Sequence, residues 1–507
     1  INIKPGHKGG ISQLAFNSRY NYLASVGVDG MIKNWNNKGE LLGTISAFDE
    51  KDYLYINTDN YYYTSKGALK NIGFRIQNRI FSFDQFDLKY NRPDLALKEL
   101  PFVDTMLLES YNNAYLKRLK KINVNENDLT VKKNVPSLTL TLPKSLNTTH
   151  SEFSFDINAG DSISTLQKLF ITINGVPSGS KTGEDLTGNK LNKKVTLDLG
   201  PGENMIQVYV SNSDNINSLK QSFKAVYKTK AQKPDLYIAC IGAGHYQQKE
   251  FNLEYAEKDA RDVVELFSGS KLYNNVYSKI LVNESVKKDS LKALRNFVEK
   301  ASYNDVVIVF VAGHGILNKN LDYYLSTHDI NFARPEENGI AYEELDNLLD
   351  NIRSRKKVLL IDACHSGEID KEEVDIKPDT VIQKSDDKLS FRAAGTTIQK
   401  KGDMSLKSSF ELSKTLFADM RVNNGTTVIS SAGGAEYALE SKEWKNGAFT
   451  FCFLKGLKKG KADVNGDNEI YLGELQEYLS TTVSELTKGK QVSTSRTENL
   501  QNDFRIW

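Results

Sequence analysis

Residues 357–368 read KVLLIDACHSGE, in which a run of apolar residues leads directly into Asp-Ala-Cys-His-Ser-Gly. An uninterrupted apolar run of this length, ending at turn-forming residues, is typical of a strand buried on both faces of a parallel sheet. Cys364 stands where such a strand would reach solvent. In open parallel sheets, ligands bind and chemistry occurs at the carboxyl ends of the strands. Cys364 is therefore a candidate functional residue.

The chain around this run alternates predicted strands and helices from about residue 231 onward. Strands are predicted at DLYIACIG, YSKILV and DVVIVFVAG, each followed by a helical pattern. The first of these helices, from about Asn252 to Phe267, carries its apolar residues on one face. Residues 231–507 are therefore predicted to form an α/β domain whose mostly parallel sheet is covered by helices on both faces.

A histidine is predicted at the same sheet edge, because DVVIVFVAG leads into Gly313-His314-Gly315. The thiolate is the attacking form of cysteine, and an ordinary thiol with a pKa of about 8.5 is mostly protonated at neutral pH. An imidazole can take that proton, and glycines let the backbone approach a substrate carbonyl. The pair predicts Cys364 as nucleophile and His314 as base. His245 is an alternative base at this edge, whereas His365 is adjacent to Cys364 and points away from it.

The motifs AGHG and DACHSG resemble the paired signatures of caspase-like cysteine peptidases, in the branch of metacaspases and bacterial caspase homologues. The resemblance covers about residues 235–507 and implies a cysteine endopeptidase with a caspase-like α/β fold. The offset of 50 residues from His314 to Cys364 is similar to the caspase spacing. An oxyanion hole formed by the N–H groups of Gly315 and Cys364 is also implied. Ala312 departs from the pattern, since those enzymes often have Ser at that position.

The same resemblance implies a substrate preference. In metacaspases, one Asp two residues before the nucleophile and another in the first crossover helix line the pocket for the residue before the scissile bond. These positions are Asp362 and Asp259 here, and two carboxylates favour a substrate Arg or Lys. Animal caspases carry a Cys-Arg-Gly type sequence where this chain has Cys-His-Ser-Gly, so the preference should differ from theirs. The alternatives are that Asp362 caps backbone amides and that Asp259 is an exposed helix residue.

A polar segment follows the nucleophile. Residues 368–407 contain many Lys and six Asp with no clear period, which predicts an exposed loop. The corresponding linker of caspase relatives is often cut during activation, so we expect self-processing here, with an uncut loop as the alternative. The candidate basic sites are Lys371, Lys384, Lys388, Arg392, Lys400 and Lys401.

Calcium is the cofactor that the sequence suggests, through residues 463–474, DVNGDNEIYLGE. Their acidic and amide residues follow the spacing of a twelve-residue calcium loop between two helices. Asn468 replaces the usual sixth-position Gly, and Asn adopts the left-handed conformation more readily than most residues. The alternative is a polar turn without metal. The candidate ligands are Asp463, Asn465, Asp467, Glu469 and Glu474.

The N-terminal half is predicted to contain smaller β-rich modules. Residues 1–44 resemble one WD40 blade, with a Gly-His pair, an Asp-Gly turn at Asp29 and a strand ending near Trp35. Because one blade cannot bury its faces alone, we interpret it as the last blade of a truncated propeller. Residues 45–130 are predicted to be a connector with strands and helices, and residues 131–230 an Ig-like antiparallel sandwich. The fold class is thus a multidomain chain whose caspase-like domain follows these modules.

Composition limits the partners. Lys and Arg number 66 and Asp and Glu 64, so no overall field favours nucleic acid or an anionic membrane. The longest apolar run, Val306–Ala312, is far shorter than the ~20 residues of a membrane span. Three cysteines cannot form a disulfide framework, and Cys240 and Cys452 are predicted core residues. We expect protein or peptide substrates and favour a cytoplasmic location.

A non-catalytic function is the alternative. Propeller and sandwich modules usually mediate contacts, so the chain could be a scaffold or signalling protein whose peptidase-like domain binds without cutting. The intact pair of Cys364 and His314 argues against this alternative, because proteins that have lost catalysis commonly lose one member of such a pair.

Overall fold

The structure is a computed structural model that describes most of the chain. The described residues are 6–48, 52–65, 67–76, 79–83, 86–121, 124–126, 129, 134–230, 232–318, 322–363, 389–391, 424–431, 438–497 and 503–507.

An antiparallel sheet of six strands begins the described chain, and each strand pairs with the next in sequence. Tight turns join the strands, with Asn21 and Gly30 at positive φ (51° and 74°), which Asn and Gly adopt most readily. The strands are β1 (Ile11–Asn17), β2 (Tyr22–Gly27), β3 (Met31–Asn36), β4 (Leu41–Ala47), β5 (Tyr53–Asn57) and β6 (Tyr62–Thr64). The sheet thus continues through residue 44, where the sequence analysis placed a module boundary.

A chain of hydrogen bonds joins four side chains of this sheet. His7 Nδ1 lies 2.9 Å from Asp29 Oδ1, and His7 Nε2 lies 2.8 Å from Ser25 Oγ. Trp35 Nε1 donates to the same Ser25 Oγ at 2.8 Å. The network includes the histidine of the Gly-His pair and the Asp and Trp that the sequence analysis used. The WD40 assignment itself stays a prediction.

The helical part of the connector packs against this sheet. Leu97 and Tyr111 lie in one apolar cluster with Tyr55 of β5, against which Leu42 and Ile45 of β4 also pack. The connector contains a 3-10 turn (Gly67–Asn71), β7 (Gly73–Ile76), β8 (Arg79–Ser82), α1 (Asp87–Tyr90), α2 (Pro93–Ala96) and α3 (Thr105–Lys121).

Two facing sheets follow, with strand order β10-β17-β16-β12-β13 in one and β15-β11-β9 in the other, while β14 pairs with β12. Alternate residues point inward: Phe155 and Ile157 of one sheet share a core with Ile206 and Val208 of the other. The strands are β9 (Ser137–Thr141), β10 (Asn147–Thr148), β11 (Glu152–Gly160), β12 (Leu166–Ile173), β13 (Val176–Pro177), β14 (Glu184–Asp185), β15 (Lys190–Asp198), β16 (Gly202–Asn212) and β17 (Gln221–Tyr227). An Ig-like identity stays a prediction.

The C-terminal part alternates strands and helices, as the sequence pattern predicts. Its strands are β18 (Leu236–Gly242), β19 (Val276–Val282), β20 (Val306–Ala312), β21 (Gly315–Leu317), β22 (Tyr323–Leu325), β23 (Ile340–Ala341), β24 (Lys356–Asp362), β25 (Leu389–Phe391), β26 (Thr426–Ser430), β27 (Leu439–Ser441), β28 (Asn446–Gly447) and β29 (Thr494–Thr497). Its helices are α4 (Ala256–Ser268), α5 (Leu291–Val298), α6 (Tyr342–Leu348), α7 (Ala448–Lys458) and α8 (Leu472–Thr487). Short 3-10 turns cover Lys249–Phe251, Asn283–Ser285 and Lys288–Ser290.

The main sheet of this part has the order β19-β18-β20-β24-β26-β29. Its first five strands are parallel, and β29 is antiparallel to β26. Every residue of β20 is buried, so both faces of the sheet are covered there. In register, Gly242 pairs with Ala312 and Ala312 with Asp362, which aligns the carboxyl ends of the three central strands. The predicted mostly parallel sheet is confirmed.

Two small sheets flank the carboxyl ends of the main strands. One has the order β21-β22-β23 and begins directly after His314; the other has the order β25-β27-β28. Strand β25 lies within residues 368–407, which were predicted to be a loop throughout. Its three residues pair with β27, a partner distant in sequence, so the segment carries no recognisable strand period of its own.

The sandwich contacts the main sheet at the amino ends of its strands, away from His314. Tyr303, before β20, donates to Asp198 Oδ2 at 2.6 Å, and Lys181 Nζ donates to Asp346 Oδ2 at 3.0 Å. A Cβ added at Gly425, just before β26, would come within 2.6 Å of Val176. The sandwich therefore packs at the sheet edge opposite to the candidate site.

Candidate active site

His314 emerges from the buried strand β20 and is itself only 1% exposed. Its Nε2 lies 2.7 Å from the carbonyl oxygen of Phe251. Because a carbonyl oxygen only accepts hydrogen bonds, this contact assigns the imidazole proton to Nε2. Nδ1 then carries the lone pair, and it is the atom that can accept a proton. Sequence reasoning missed the Phe251 carbonyl because every residue has one.

Aromatic rings surround the imidazole of His314. The ring centroids of Tyr246 and Phe332 lie 5.3 Å and 5.7 Å from that of His314, and the Phe251 ring lies at 6.4 Å. The backbone of His314 is also held: its N–H donates to Ser326 Oγ at 3.1 Å, and its carbonyl accepts from the Ser326 N–H at 2.9 Å. Packing and hydrogen bonds therefore fix both the position and the orientation of this side chain.

Cys364 lies outside the described residues, but the strand that leads to it is described. Ala363 is completely buried at the carboxyl end of β24. Ala312 of β20 pairs with Asp362 of β24, and His314 and Cys364 each stand two residues further along. Neighbouring strands of a sheet are about 4.8 Å apart. The two segments therefore leave the sheet side by side, which is the arrangement that the sequence analysis expected.

Gly315 is the first residue of β21 and pairs with Leu325 of β22. The hairpin of β21 and β22 returns the chain to Ser326, the residue that holds the His314 backbone. The amide predicted for the oxyanion hole thus belongs to a hairpin tied to the histidine. His245, the alternative base, is exposed near the end of β18.

Asp362 is the last residue of β24 and is fully buried. Its Oδ2 accepts from Thr450 Oγ1 at 2.5 Å and from the Thr450 N–H at 3.3 Å. Thr450 lies in the first turn of α7, where the helix dipole favours a negative charge. The amide-capping contact considered for Asp362 is therefore present, in the residue two positions before the predicted nucleophile.

Asp259 of α4 reaches the same helix end. It is 0% exposed, so the alternative that it is an exposed helix residue is wrong. Its Oδ1 accepts from Asn446 Nδ2 at 2.7 Å and its Oδ2 from the Gly447 N–H at 3.1 Å. The apolar face of α4 packs on the core and brings Asp259 inward with it. Two buried carboxylates from different elements thus meet the amino end of α7.

A third buried carboxylate, which the sequence analysis did not single out, belongs to Glu440 of β27. Glu440 is only 2% exposed, and its Oε1 accepts from the Glu254 N–H at 3.0 Å. Glu440 pairs in register with Gly447, the residue whose N–H reaches Asp259. The surrounding sequence AEYALES does not distinguish Glu440 from an exposed residue. Its burial depends on the pairing of β27 with β28.

The two cysteines predicted to be core residues are buried, at 0% exposure for Cys240 and 1% for Cys452. Burial raises the pKa of the Cys452 thiol to about 12 and that of Cys240 well above its usual range. Neither thiol can form a thiolate readily near neutral pH. The prediction that Cys240 and Cys452 are core residues is confirmed.

The predicted calcium loop turns around Asp463. The Asp463 carboxylate accepts from the N–H groups of Gly466 at 2.7 Å and Asn468 at 2.9 Å. Asn468 has φ of 66°, the left-handed conformation expected at the sixth position. Glu474 accepts from the N–H groups of Val464 and Asn465 at 3.2 and 3.1 Å. The backbone thus fits such a loop.

The carboxylates of this loop are less convergent. Asn465 and Asp467 accept from backbone N–H groups two residues on, at 2.9 and 2.8 Å, and Glu469 pairs with Arg505 at 2.5 Å. Within the described residues, no group of three or more His, Cys, Asp or Glu side chains is placed to share one ion. In this conformation the side chains serve the turn itself.

Comparison with known proteins identifies the C-terminal part. The family model of the caspase domain matches residues 238–505, which include Asp259, His314, Asp362 and Cys364. A solved protein from Geobacter sulfurreducens is similar at 15% identity and a TM-score of 0.35, over 52% of this chain and 93% of its own. The fibronectin(III)-like modules of CbhA from Clostridium thermocellum are similar at 21% identity and a TM-score of 0.15, over 18% of this chain and 97% of theirs. No curated protein matches the chain.

The helices were also compared with what a bilayer requires. Within the part of the chain that the structure describes, none of them has both the length and the apolar character needed to cross a membrane.

Proposed function

The chain belongs to the caspase family, and on this basis we propose that it is a cysteine endopeptidase in which Cys364 attacks and His314 moves the proton. The observation that carries the proposal is the bond between His314 Nε2 and the Phe251 carbonyl. It leaves Nδ1 as the proton acceptor, on a residue that emerges beside the segment leading to Cys364.

In the proposed reaction, His314 Nδ1 takes the proton of the Cys364 thiol, and the thiolate attacks the substrate carbonyl carbon. The Phe251 carbonyl accepts the Nε2–H bond and so stabilises the imidazolium that forms. The N–H groups of Gly315 and Cys364 donate to the oxyanion. The Nδ1 proton then passes to the leaving amine, and the C–N bond breaks to give a thioester. Water, deprotonated by Nδ1, hydrolyses that thioester and restores the thiol.

We propose that the residue before the scissile bond is Arg or Lys. Asp362 and Asp259 support this specificity because both carboxylates are buried and both reach the amino end of α7. Burying a charged carboxylate costs free energy unless positive charge compensates it. The amino end of the α7 dipole supplies part of that compensation, and a cationic substrate side chain would supply more. A substrate Asp would add a further negative charge instead.

Self-processing is part of the proposed function. A cut at a basic residue in 368–407 would use the same preference for Arg or Lys, and this segment contains several Lys. All of the candidate cleavage sites lie outside the described residues. The support for this step is the family membership and the composition of the segment.

We also propose that residues 463–474 bind calcium. The ion would be held by Asp463, Asn465, Asp467 and Glu474 with the carbonyl of Glu469, the ligand pattern of a twelve-residue loop. The left-handed Asn468 and the hydrogen bonds to Asp463 support this proposal. Such an ion would stabilise the junction of α7 and α8.

For the N-terminal modules we propose a WD40-type blade and an Ig-like sandwich that bind protein partners. The hydrogen-bond network of His7, Ser25, Asp29 and Trp35 supports the blade assignment. Exposed apolar side chains at the outer strand, including Leu14 at 63%, support a role in contacts.

The experiment that tests the proposed function is hydrolysis of fluorogenic peptides ending in Arg, Lys or Asp, with and without calcium. We expect cleavage of the Arg and Lys peptides by the full chain and none by Cys364→Ala. Equal, background-level rates for both proteins would contradict the proposal and favour the scaffold alternative.

A further inference from the structure

Gln491 lies between α8 and β29 and is completely buried. Its side-chain amide makes two hydrogen bonds in opposite directions. Nε2 donates to the Ser431 carbonyl at 2.8 Å, and Oε1 accepts from the Leu439 N–H at 2.9 Å. Ser431 and Leu439 stand on either side of residues 432–437, so one side chain holds two segments that are eight positions apart in sequence.

The first of these segments, at Ser431, is hydrogen-bonded to the carboxyl end of β24, the strand that precedes Cys364. The Ser431 N–H donates to the Ile361 carbonyl at 2.7 Å, and Ser431 Oγ donates to the Ala363 carbonyl at 3.2 Å. Ala363 is the residue immediately before Cys364. Any displacement of Ser431 therefore acts directly on the backbone of Ala363, the residue before Cys364.

The second segment, at Leu439, is connected to the buried carboxylates of Glu440 and Asp259. Leu439 is the first residue of β27 and precedes Glu440. Glu440 pairs with Gly447, and the Gly447 N–H donates to Asp259. Gln491 thus touches one segment tied to the nucleophile and another tied to the proposed specificity pocket.

Gln491 is itself held rigidly. Its N–H donates to Thr487 Oγ1 at 3.1 Å, and its carbonyl accepts from the same hydroxyl at 3.1 Å. A side-chain amide offers a donor and an acceptor on two separate atoms at one end, and a buried partner left without its bond costs free energy. A simple space-filling role would not require this pair of bonds.

We propose that Gln491 is a positioning residue that sets the distance between the Cys364 segment and β27. This inference rests on the proposed function. Gln491 touches neither substrate nor reacting atoms in it, and acts through Ser431 and Leu439. Its effect should therefore appear in the reactivity of Cys364 as well as in substrate turnover.

The test compares Gln491→Met with Ser493→Ala in the full chain. Met keeps the length and removes both bonds. Ser493 Oγ donates to the Ser430 carbonyl at 2.9 Å, so its removal deletes a neighbouring buried hydrogen bond without touching Ser431 or Leu439. Gln491→Glu is the second variant, because it keeps the acceptor for Leu439 and loses the donor to Ser431, should Met prevent folding.

The first readout is the pH dependence of Cys364 alkylation by iodoacetamide, followed by peptide mass analysis. It requires no peptidase activity, and the other two cysteines are buried. The second readout is kcat/KM for an Arg peptide. We expect Gln491→Met to shift the alkylation profile and to lower kcat/KM by about 10- to 100-fold, with little change in Ser493→Ala.

A Gln491 variant that folds and matches Ser493→Ala in both readouts would overturn the inference. A shifted alkylation profile in a chain whose wild type cleaves no peptide would support positioning by Gln491 while rejecting the peptidase function. The two proposals are therefore separable.

Discussion

The Nε2 atom of His314 lies 2.7 Å from the carbonyl oxygen of Phe251, a residue 63 positions away in sequence. This bond places the proton of the neutral imidazole on Nε2 and the lone pair on Nδ1. The same hydrogen bond becomes stronger when the ring gains a second proton, because hydrogen bonds from charged donors are stronger. A backbone carbonyl thus takes the orienting role that a carboxylate has in Ser-His-Asp sites.

Loss of either proposed catalytic residue should abolish hydrolysis. We expect Cys364→Ala and His314→Ala each to remove nearly all turnover of an Arg peptide, and the double variant to lose little more, because the pair acts as a unit. His245→Ala is the control, since this exposed histidine is the alternative base. Near-normal hydrolysis by Cys364→Ala, or loss of activity only in His245→Ala, would contradict the assignment.

The buried carboxylates should determine the substrate. We expect kcat/KM for Arg and Lys peptides to exceed that for an Asp peptide by up to about 10⁴-fold, the discrimination of sites that leave polar groups unpaired with the wrong substrate. Asp362→Asn should lose most of this preference. Asn keeps an oxygen that can accept from Thr450, so a change in preference at unchanged thermal stability separates substrate binding from capping.

Higher turnover of the Asp peptide, or an unchanged preference in both Asp362→Asn and Asp259→Asn, would reject this specificity. Alkylation of Cys364 by a small reagent is the control measurement, since we expect it to continue in both variants.

Calcium binding should depend on Glu474. We expect calorimetry to detect calcium uptake by the full chain, and Glu474→Gln to weaken it, because the bidentate carboxylate is lost. Glu485→Gln, in α8 but outside the loop, is the matched control. No uptake at millimolar calcium would leave the polar turn, already present as hydrogen bonds to Asp463, as the correct interpretation.

Stability should increase with pH through Lys357. This side chain is 1% exposed, and its Nζ donates to the Leu349 carbonyl at 3.1 Å and to the Asn424 carbonyl. Burial lowers its pKa to about 7, opposed by Asp350 and Asp346 and assisted by Lys181 and Arg295. Between about pH 7 and pH 10 the unfolded chain therefore binds more protons than the native chain at this site, so its contribution to the free energy of unfolding rises with pH.

The comparison that isolates this effect is wild type against Lys357→Met in urea denaturation. We expect the wild type to gain stability relative to the variant from about pH 7 to pH 9, with a slope approaching about 1.4 kcal/mol per pH unit. A difference that is flat or falls over this range would show that the lysine stays charged in the native state.

The sequence predicts the parts of the site that depend on local patterns. The apolar runs of β20 and β24 predict the two central strands. The residues that follow these runs identify His314 and the segment that precedes Cys364 as parts of the site. The roles of Glu440 and Gln491 have no such signal. Each depends on contacts between segments distant in sequence, and polar residues without periodicity are ordinarily expected at the surface.

Asp259 illustrates the same limit within a helix. The pattern of α4 identifies its apolar face, but an Asp beside that face is compatible with either exposure or burial. Asn446 and the Gly447 N–H decide the outcome by supplying donors to the carboxylate. The burial of a charged residue thus depends on its partners more than on its position in the pattern.

The parallel pairing of β24 with β26 has a consequence for self-processing. Because the strands run in the same direction, Ala363 leaves one edge of the sheet and Asn424 enters at the opposite edge, about 23 Å away for a seven-residue strand. After a cut at Arg392, Lys400 or Lys401, which follow β25, one new chain end would be held through β25 near the carboxyl ends of the strands and the other through β26 at the amino end. The low local concentration of one end near the other would oppose resealing of the bond, so processing would be irreversible in practice.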